Sequence, residues 1–176
     1  MIQERIKNSL RDVHDFPKPG IVFKDITPIL KDQKLCSEIV DEFVERLKHL
    51  EFDAIAGIES RGFLFGLMLA NKLNKPFIPI RKAGKLPYKT IQQSYDLEYG
   101  SATIEIHADA FQEGQKILIH DDLLATGGTV EATSLLIQKM KGQIAGFSFL
   151  ISLNFLNGEQ KLNKFSKNNI SLASFT

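Results

Sequence analysis

The sequence contains no tryptophan, a single cysteine and almost no excess of either charge. One cysteine cannot form an internal disulfide, and four histidines without ligand spacing do not complete a zinc site. Lys and Arg number 22 against 21 Asp and Glu, so the formal net charge is +1. A dedicated nucleic-acid-binding protein normally carries a basic face, and we therefore do not expect one here.

Long apolar runs are also absent. The longest extends over residues 63–70 and contains Gly66, whereas a helix that spans a bilayer needs about 20 apolar residues. The N-terminal residues before Pro17 carry charges throughout and lack the apolar segment of a secretory signal. We therefore expect no membrane association and a cytoplasmic location.

The composition that remains is that of one globular domain. The 176 residues are 43% apolar and 24% charged, and a chain of this length buries about 70% of its unfolded surface on folding. No repeat, low-complexity tract or Pro/Ser-rich linker interrupts the sequence. Residues 1–176 are therefore predicted to form a single domain.

Apolar periodicity predicts alternating helices and strands. The predicted helices are 2–12, 37–50 (capped by Ser37), 62–73 and 128–141, and the predicted strands are 54–58, 76–80, 102–108, 116–120 and 144–153. This alternation indicates an α/β fold with an open, mainly parallel sheet flanked by helices. Residues 81–100 are polar and aperiodic, which is uncommon in a compact domain and is typical of a functional loop.

The segment most indicative of function is ILIHDDLLATGGTVEAT, residues 117–133. Asp121 and Asp122 follow an apolar strand, and a small-residue loop over 125–129 leads into a helix. Backbone N–H groups of such a loop can bind phosphate oxygens, and the paired acids suit a ribose diol or Mg²⁺. A capped helix after a tight turn explains the same spacing equally well, so the residues alone leave both interpretations open.

A resemblance to a known family favours the phosphate-binding interpretation over the capped helix. DDLLATGGT resembles the phosphoribosyl diphosphate (PRPP) motif of type I phosphoribosyltransferases, and LLATGGT resembles the version found in enzymes that act on adenine. Four further segments resemble the same family in the same order, over about residues 10–160: FPKPGIVFKDITPIL (16–30), AGIESRGFLFG (56–66), RKAGKLPY (81–88) and SYDLEYG (94–100). The resemblance implies the type I phosphoribosyltransferase fold with an N-terminal hood (1–35), a mobile catalytic loop (81–100) and a homodimer.

The resemblance also implies a reaction, in which adenine and PRPP give AMP and pyrophosphate with Mg²⁺. It assigns PRPP binding to Ser60, Arg61, Gly62, Arg81, Lys82, Lys85, Asp121, Asp122, Ala125, Thr126, Gly127, Gly128 and Thr129. Mg²⁺ is expected mainly through PRPP, with Asp121 and Asp122 as candidate protein ligands. The planar fork of Arg61 suits a diphosphate, and a cation at a helix start is otherwise unfavourable without an anion nearby.

For catalysis the resemblance implies Glu98, Tyr99 and Arg61, with Glu98 as an acid/base near the adenine ring. It implies adenine binding by Val22, Phe23 and Lys24, although the residues alone equally allow Phe23 a place in the core. His120 stands where the family has an aliphatic residue and is expected to pack or hydrogen-bond there. Leu153 and Asn154 stand where an acidic residue is expected.

Two alternatives to an adenine enzyme follow from the same motifs. One is a phosphoribosyltransferase for another purine base, and the other is a PRPP-sensing regulator without catalysis. A regulator would carry an added DNA-binding segment and would have lost loop residues. No basic face precedes residue 16, and Arg61, Lys85 and Glu98 are all present. These features favour the enzyme.

Overall fold

The chain alternates strands and helices in the computed structural model, which describes residues 1–97 and 100–176. In chain order the elements are α1 (Ile2–Ser9), β1 (Arg11–His14), β2 (Val22–Asp25), α2 (Gln33–Leu47), β3 (Ala54–Ile58), α3 (Gly62–Lys72), β4 (Phe77–Lys82), β5 (Thr90–Asp96), β6 (Ser101–His107), β7 (Lys116–Leu124), α4 (Gly128–Lys139), β8 (Gln143–Leu153), α5 (Gly158–Leu162) and β9 (Asn169–Phe175). Short 3-10 turns lie at Ile29–Lys31 and Asn154–Leu156.

Seven of the strands form one sheet in the order β5-β6-β4-β3-β7-β8-β9. Strands β4, β3, β7, β8 and β9 are parallel to their neighbours in this set. Strand β6 joins β4 in the antiparallel sense, and β5 pairs antiparallel with β6. The prediction of an open, mainly parallel sheet is thus confirmed, with an antiparallel hairpin added at one edge.

Both faces of the sheet are buried, which explains the apolar runs of its central strands. Ile55 of β3 packs into one core cluster with Phe43 of α2 and Phe65 of α3. Its neighbours in β3 face the other way and join a second cluster, which includes Val130 and Leu136 of α4. Because side chains alternate along a strand, one short segment supplies both cores. None of the described helices is long and apolar enough to cross a bilayer.

The N-terminal region differs from its prediction in detail. The first helix ends at Ser9, and β1 then pairs antiparallel with β2 to form a separate two-stranded hairpin. Helix α2 begins four residues before the predicted cap, because the Asp32 side chain accepts the backbone N–H of Leu35 (2.9 Å). Ser37 lies inside α2 and donates to the carbonyl of Gln33 (3.1 Å).

The prediction that residues 81–100 lack regular structure is wrong for part of the segment. Strand β4 continues to Lys82, and Thr90–Asp96 forms β5, paired with β6 from Thr90↔His107 to Asp96↔Ser101. We call β5 and β6 the arm. A solvent-facing edge strand needs no apolar run, so polarity alone misidentified it as loop. Helix α5 and strand β9 were also not predicted.

Candidate active site

The turn after β3 packs directly against the start of the DDLLATGGT segment. The peptide bond between Glu59 and Ser60 is cis, and Arg61 immediately precedes α3. A Cβ on Gly62 would lie 2.9 Å from Asp121 Oδ1 and 3.0 Å from the carbonyl oxygen of His120. Only glycine allows this approach, which brings the predicted residues Ser60, Arg61 and Gly62 next to the acid pair.

The sequence pattern placed the acid pair after the strand, but the structure places it within β7. Strand β7 extends to Leu124 because it continues to pair with β8, from Asp121↔Phe149 to Leu124↔Ser152. Asp122 is 3% exposed, and its Oδ2 lies 2.9 Å from Arg61 Nε. No hydrogen bond of good geometry ends on this oxygen among the described residues, so the contact is an ion pair.

Burial raises the pKa of both acids, and the neighbouring charge adds to the rise at Asp121. Burial raises the pKa of Asp122, and the Arg61 guanidinium opposes that rise without cancelling it. Burial and then the neighbouring Asp122 charge raise the pKa of Asp121 well above its usual range. Two adjacent carboxylates therefore carry a full double charge only at a cost, which hydroxyl donors or a cation would lower.

Residues 125–129, which we call the nest, connect β7 to α4. Gly127 has a φ of 78°, in the left-handed region that favours glycine, and α4 begins at Gly128. The nest encloses a cavity of about 90 Å³ whose lining is Asp121 and residues 123–130. The first N–H groups of a helix have no partner within the helix and point toward such a cavity. The arrangement suits a phosphate group.

Two carboxylates hold the backbone of the basic loop, residues 81–86. Glu59 Oε2 accepts the backbone N–H of Lys82 (2.7 Å) and Nε of Arg81 (3.3 Å). Glu105 Oε1 accepts the backbone N–H of Lys85 (2.9 Å) and of Leu86 (2.8 Å). Within the described part of the chain, the ammonium groups of Lys82 and Lys85 make no ion pair.

Glu105, which no sequence motif singled out, is only 1% exposed. Burial alone would raise the pKa of Glu105, but backbone N–H groups of Leu86, Gly84 and Lys85 and the Gln92 amide lower it below its usual value. The carboxylate therefore stays charged inside the protein. An acid between two isoleucines of an alternating strand, Ile104 and Ile106, was the available signal.

The adenine-binding candidates lie on β2, in the hood hairpin. Phe23 belongs to neither core cluster; its ring centroid lies 4.7 Å from Arg61 Cζ and 5.2 Å from that of Phe16. Val22 is 41% exposed. Lys24 Nζ pairs with Asp12 Oδ1 (2.7 Å) and lies over Phe175. The structure thus brings Phe23 to Arg61 and engages the Lys24 side chain elsewhere.

The arm brings an unpredicted tyrosine to the nest. Tyr95 Oη of β5 lies 3.2 Å from Thr129 Oγ1 at the start of α4. The catalytic candidates Glu98 and Tyr99 lie outside the described residues. The SYDLEYG match covered Tyr95 but carried no role for it.

His120 packs and hydrogen-bonds, as expected, although β7 continues past it to Leu124. It is fully buried, its Nδ1 lies 2.9 Å from Ser148 Oγ, and its ring packs edge-on against Phe43. Burial lowers the pKa of His120 to about 3, so the ring is neutral near pH 7. Asn154 Oδ1 accepts the hydroxyl of Ser152 (2.9 Å) at the end of β8.

A larger cavity lies elsewhere, at the opposite ends of β3 and β7. It measures about 590 Å³ and is lined by Val44, Phe52 and Lys116 among others. Lys116 pairs with Glu51 there, and Lys75 lies over the Phe52 ring. Its cations are thus already engaged, whereas Lys82 and Lys85 of the basic loop make no ion pair among the described residues and the nest offers a helix start that suits an anion. Size does not identify the functional site here.

Comparison with known proteins gives one consistent result. Residues 25–168 match the model of the phosphoribosyl transferase domain family. The chain is 54% identical to the adenine phosphoribosyltransferase of Cytophaga hutchinsonii, over 99% of this chain and 97% of that protein. The crystal structure of adenine phosphoribosyltransferase from Thermoanaerobacter pseudethanolicus superposes with a TM-score of 0.95 at 47% identity, covering 98% of this chain and 99% of that one. The Saccharomyces cerevisiae enzyme, in complex with an imino-altritol bisphosphate and adenine, gives a TM-score of 0.90 at 36% identity, covering 97% and 98%.

Proposed function

The chain belongs to the phosphoribosyl transferase family, and on that premise we propose that it transfers the phosphoribosyl group of PRPP to adenine, giving AMP and pyrophosphate. The observation that carries the proposal is the grouping of the acid pair, the nest and Arg61 at one end of the parallel strands. Ligands of open α/β sheets bind at this end of the strands. The reaction is one of purine salvage.

The nest is assigned to the phosphate on the 5-position of the ribose of PRPP. Its supporting features are the left-handed Gly127, the hydroxyls of Thr126 and Thr129, and the free N–H groups at the start of α4. Asp121 and Asp122 are assigned to the ribose diol. Burial raises the pKa of both acids, so hydroxyl donors from the ribose would favour their charged forms.

The pyrophosphate is assigned to the turn 60–62 and the basic loop. Arg61 offers a planar fork, and Lys82 and Lys85 offer ammonium groups without a partner among the described residues. Glu59 and Glu105 support this assignment because they fix the loop through backbone N–H groups and leave both lysine side chains available.

Bond exchange at the anomeric carbon requires charge stabilisation on both sides. The bond from carbon to pyrophosphate oxygen breaks with its electron pair on oxygen, and the bond to an adenine ring nitrogen forms as that nitrogen loses a proton. Arg61 and the basic loop stabilise the departing anion, which is usually the largest catalytic contribution. Glu98, outside the described residues, is proposed to take the proton, with Tyr99 beside it.

The residues of this site suit a magnesium ion that binds together with PRPP. No cluster of three or more His, Cys, Asp or Glu side chains suited to a metal ion occurs among residues 1–97 and 100–176. The adjacent carboxylates of Asp121 and Asp122 are oxygen ligands of the type that Mg²⁺ prefers. They would share an ion held mainly by PRPP oxygens. Bound Mg²⁺ would neutralise charge on the pyrophosphate.

Adenine is assigned to the space beneath the hood, beside Phe23 and Arg61. The ring of Phe23 offers a flat apolar face, and Val22 is the exposed apolar residue next to it in β2. Because the Lys24 ammonium is engaged by Asp12, its contribution to base recognition would come from its backbone.

Two further expectations remain proposals. A homodimer is supported by the apolar side chains that α3 exposes, Leu64, Leu67 and Met68, which lie three and four residues apart on one helix face. The second is a cytoplasmic location, and its support is that the cysteine of the chain, Cys36, is a buried free thiol.

The test is an assay of purified protein with PRPP, Mg²⁺ and one base at a time. Adenine, hypoxanthine, guanine and xanthine are each offered, and nucleotide formation is followed. We expect AMP from adenine, much slower turnover of the three oxopurines, and no turnover after chelation of Mg²⁺ by EDTA. Turnover of an oxopurine without turnover of adenine would assign a different base. No turnover of any base, with intact PRPP binding, would indicate a sensor.

A further inference from the structure

The arm contacts α4 at two places, one at each end of the helix. Lys139 Nζ, in the last turn of α4, donates to the carbonyl of Gln92 in β5 (3.1 Å). Tyr95 Oη meets Thr129 Oγ1 in the first turn (3.2 Å). Strand β5 therefore lies along α4 and places Tyr95 where α4 and the nest meet.

Tyr95 is also seated by packing. Its ring is part-buried against the core cluster that contains Val130, and its Cδ2 lies 4.0 Å from where a Cβ of Gly128 would stand. The Tyr95 ring is packed on one face and its hydroxyl is directed at Thr129. The direction of the tyrosine O–H bond is therefore restricted. Thr129 belongs to the nest, whose proposed ligand is the 5-phosphate of the PRPP ribose.

We propose that Tyr95 is a positioning residue for PRPP, acting through Thr129. The proposal rests on the assignment of the nest to the sugar phosphate. A threonine hydroxyl has one proton to donate and two lone pairs that accept. When Tyr95 donates to Thr129 Oγ1, the proton of Thr129 is released toward the nest, where a phosphate oxygen accepts it.

The reverse arrangement has Thr129 donating to Tyr95 and turns its lone pairs toward the phosphate. A bound anion disfavours that arrangement, since it needs donors and not acceptors. The two hydroxyls form a short chain in which each bond polarises the next. Phosphate binding and docking of the arm on α4 thus stabilise each other. Tyr95 precedes Glu98 by three residues, so the coupling acts on the segment assigned to catalysis.

The test uses Tyr95→Phe, which keeps the ring and removes only the hydroxyl. The matched control is Thr103→Val, which removes a hydroxyl from the same arm, where Thr103 pairs with Ser94 (2.9 Å) and does not reach α4. The first measurement is calorimetric binding of ribose 5-phosphate to each protein. This readout is independent of catalysis, and the melting temperature is recorded alongside it.

We expect Tyr95→Phe to weaken ribose 5-phosphate binding and to raise the KM for PRPP by about 3- to 10-fold. The KM for adenine should stay within about twofold, and Thr103→Val should match the wild type in both respects. Thr129→Val should weaken binding further, and adding Tyr95→Phe to it should change nothing more, because the two act as one unit.

Equal binding by the wild type and Tyr95→Phe would overturn the proposal, as would equal losses in Tyr95→Phe and Thr103→Val. Additive losses in the double variant would overturn it too. If the wild type itself binds no ribose 5-phosphate and turns over no base, the proposed function fails instead. The two failures are therefore distinguishable.

Discussion

At the scale of single residues, Arg61 contacts both the acid pair and the hood. Its Nε lies 2.9 Å from Asp122 Oδ2, and its guanidinium lies over the ring of Phe23. Asp122 is buried and the Arg61 side chain is 35% exposed, so removal of either partner leaves the other charge without its counterion. Any change at Asp122 therefore alters Arg61 as well as the assigned ribose contacts.

Asp122→Asn keeps the shape of the side chain and removes its charge. We expect the KM for PRPP to rise roughly 10- to 100-fold, because a hydrogen bond to a charged acceptor contributes about 1.5–3 kcal/mol. Initial rates at varied PRPP measure the effect. Asp41→Asn is the control, since Asp41 is an exposed acid on α2 that pairs with Lys72. Unchanged kinetics in Asp122→Asn would contradict the assignment.

The burial of His120 predicts that the free energy of unfolding, and not catalysis, depends on the protonation of this residue. Its pKa is about 3 in the folded protein, against 6.5 for the free group. Between these values the unfolded chain binds a proton that the folded chain does not, so the free energy of unfolding falls as the pH falls below 6.5. At pH 5 the loss from this group alone is about 2 kcal/mol.

Urea unfolding at pH 7 and pH 5 measures this loss. His120→Leu should lose about 2 kcal/mol less between the two pH values than the wild type. Ser148→Ala removes the partner of His120 and keeps the titrating ring, so it should retain the pH dependence. Identical pH dependence in the wild type and His120→Leu would refute the prediction.

At the scale of elements, the short helix α5 supports the nest from behind. A Cβ on Gly158 would lie 2.2 Å from the carbonyl oxygen of Ala125, and one on Gly127 would lie 2.7 Å from the carbonyl oxygen of Gly158. Two glycines therefore let α5 and the nest touch backbone to backbone. Nothing in the sequence around Gly158 indicated this contact, because it joins segments about thirty residues apart.

Gly158→Ala should displace the nest, since neither contacting group is the flexible end of a side chain. We expect a loss of about 1–3 kcal/mol, shared between folding stability and ribose 5-phosphate binding. Glu159→Ala, the next residue of α5 and exposed, is the matched control. Thermal melts and calorimetry report the two components. A variant with wild-type values in both would show that the nest does not depend on α5.

Local sequence patterns predicted some elements and not others. The predicted bounds of α3 agree with the structure to within one residue, because its apolar residues and the preceding turn are local signals. Strand β5 was missed because its order comes from pairing with β6, and β9 because its pairing partner is β8. Motifs singled out the acid pair, the nest and Arg61, and the structure brings these residues close together. Glu59, Glu105 and Tyr95 act through backbone or hydroxyl groups of distant segments, and no local pattern marks such contacts.

At the scale of the whole molecule, the net charge of +1 contrasts with the polyanion assigned to the site. Attraction must then be local, from Arg61, the basic loop and the start of α4. The sheet order makes this possible, because β4, β3 and β7 are adjacent and end at the same side. Three segments far apart in sequence thereby supply cations, acids and N–H groups to one crevice.

The exposed apolar side chains of α3 predict that two copies of the chain associate through this helix. Leu67 is 56% exposed on α3, between Leu64 and Met68, and α3 begins directly after Arg61. If a second copy covers this face, Leu67→Asp buries a charge at the interface and should yield monomers in light scattering, whereas the wild type has the mass of two chains. Phe155→Asp changes a similarly exposed apolar residue outside α3 and should stay dimeric.

A monomeric wild type would contradict the proposed dimer, and a dimeric Leu67→Asp would assign the interface to another face. Because the interface would brace the turn that carries Arg61, the monomer should also show a lower kcat/KM for PRPP.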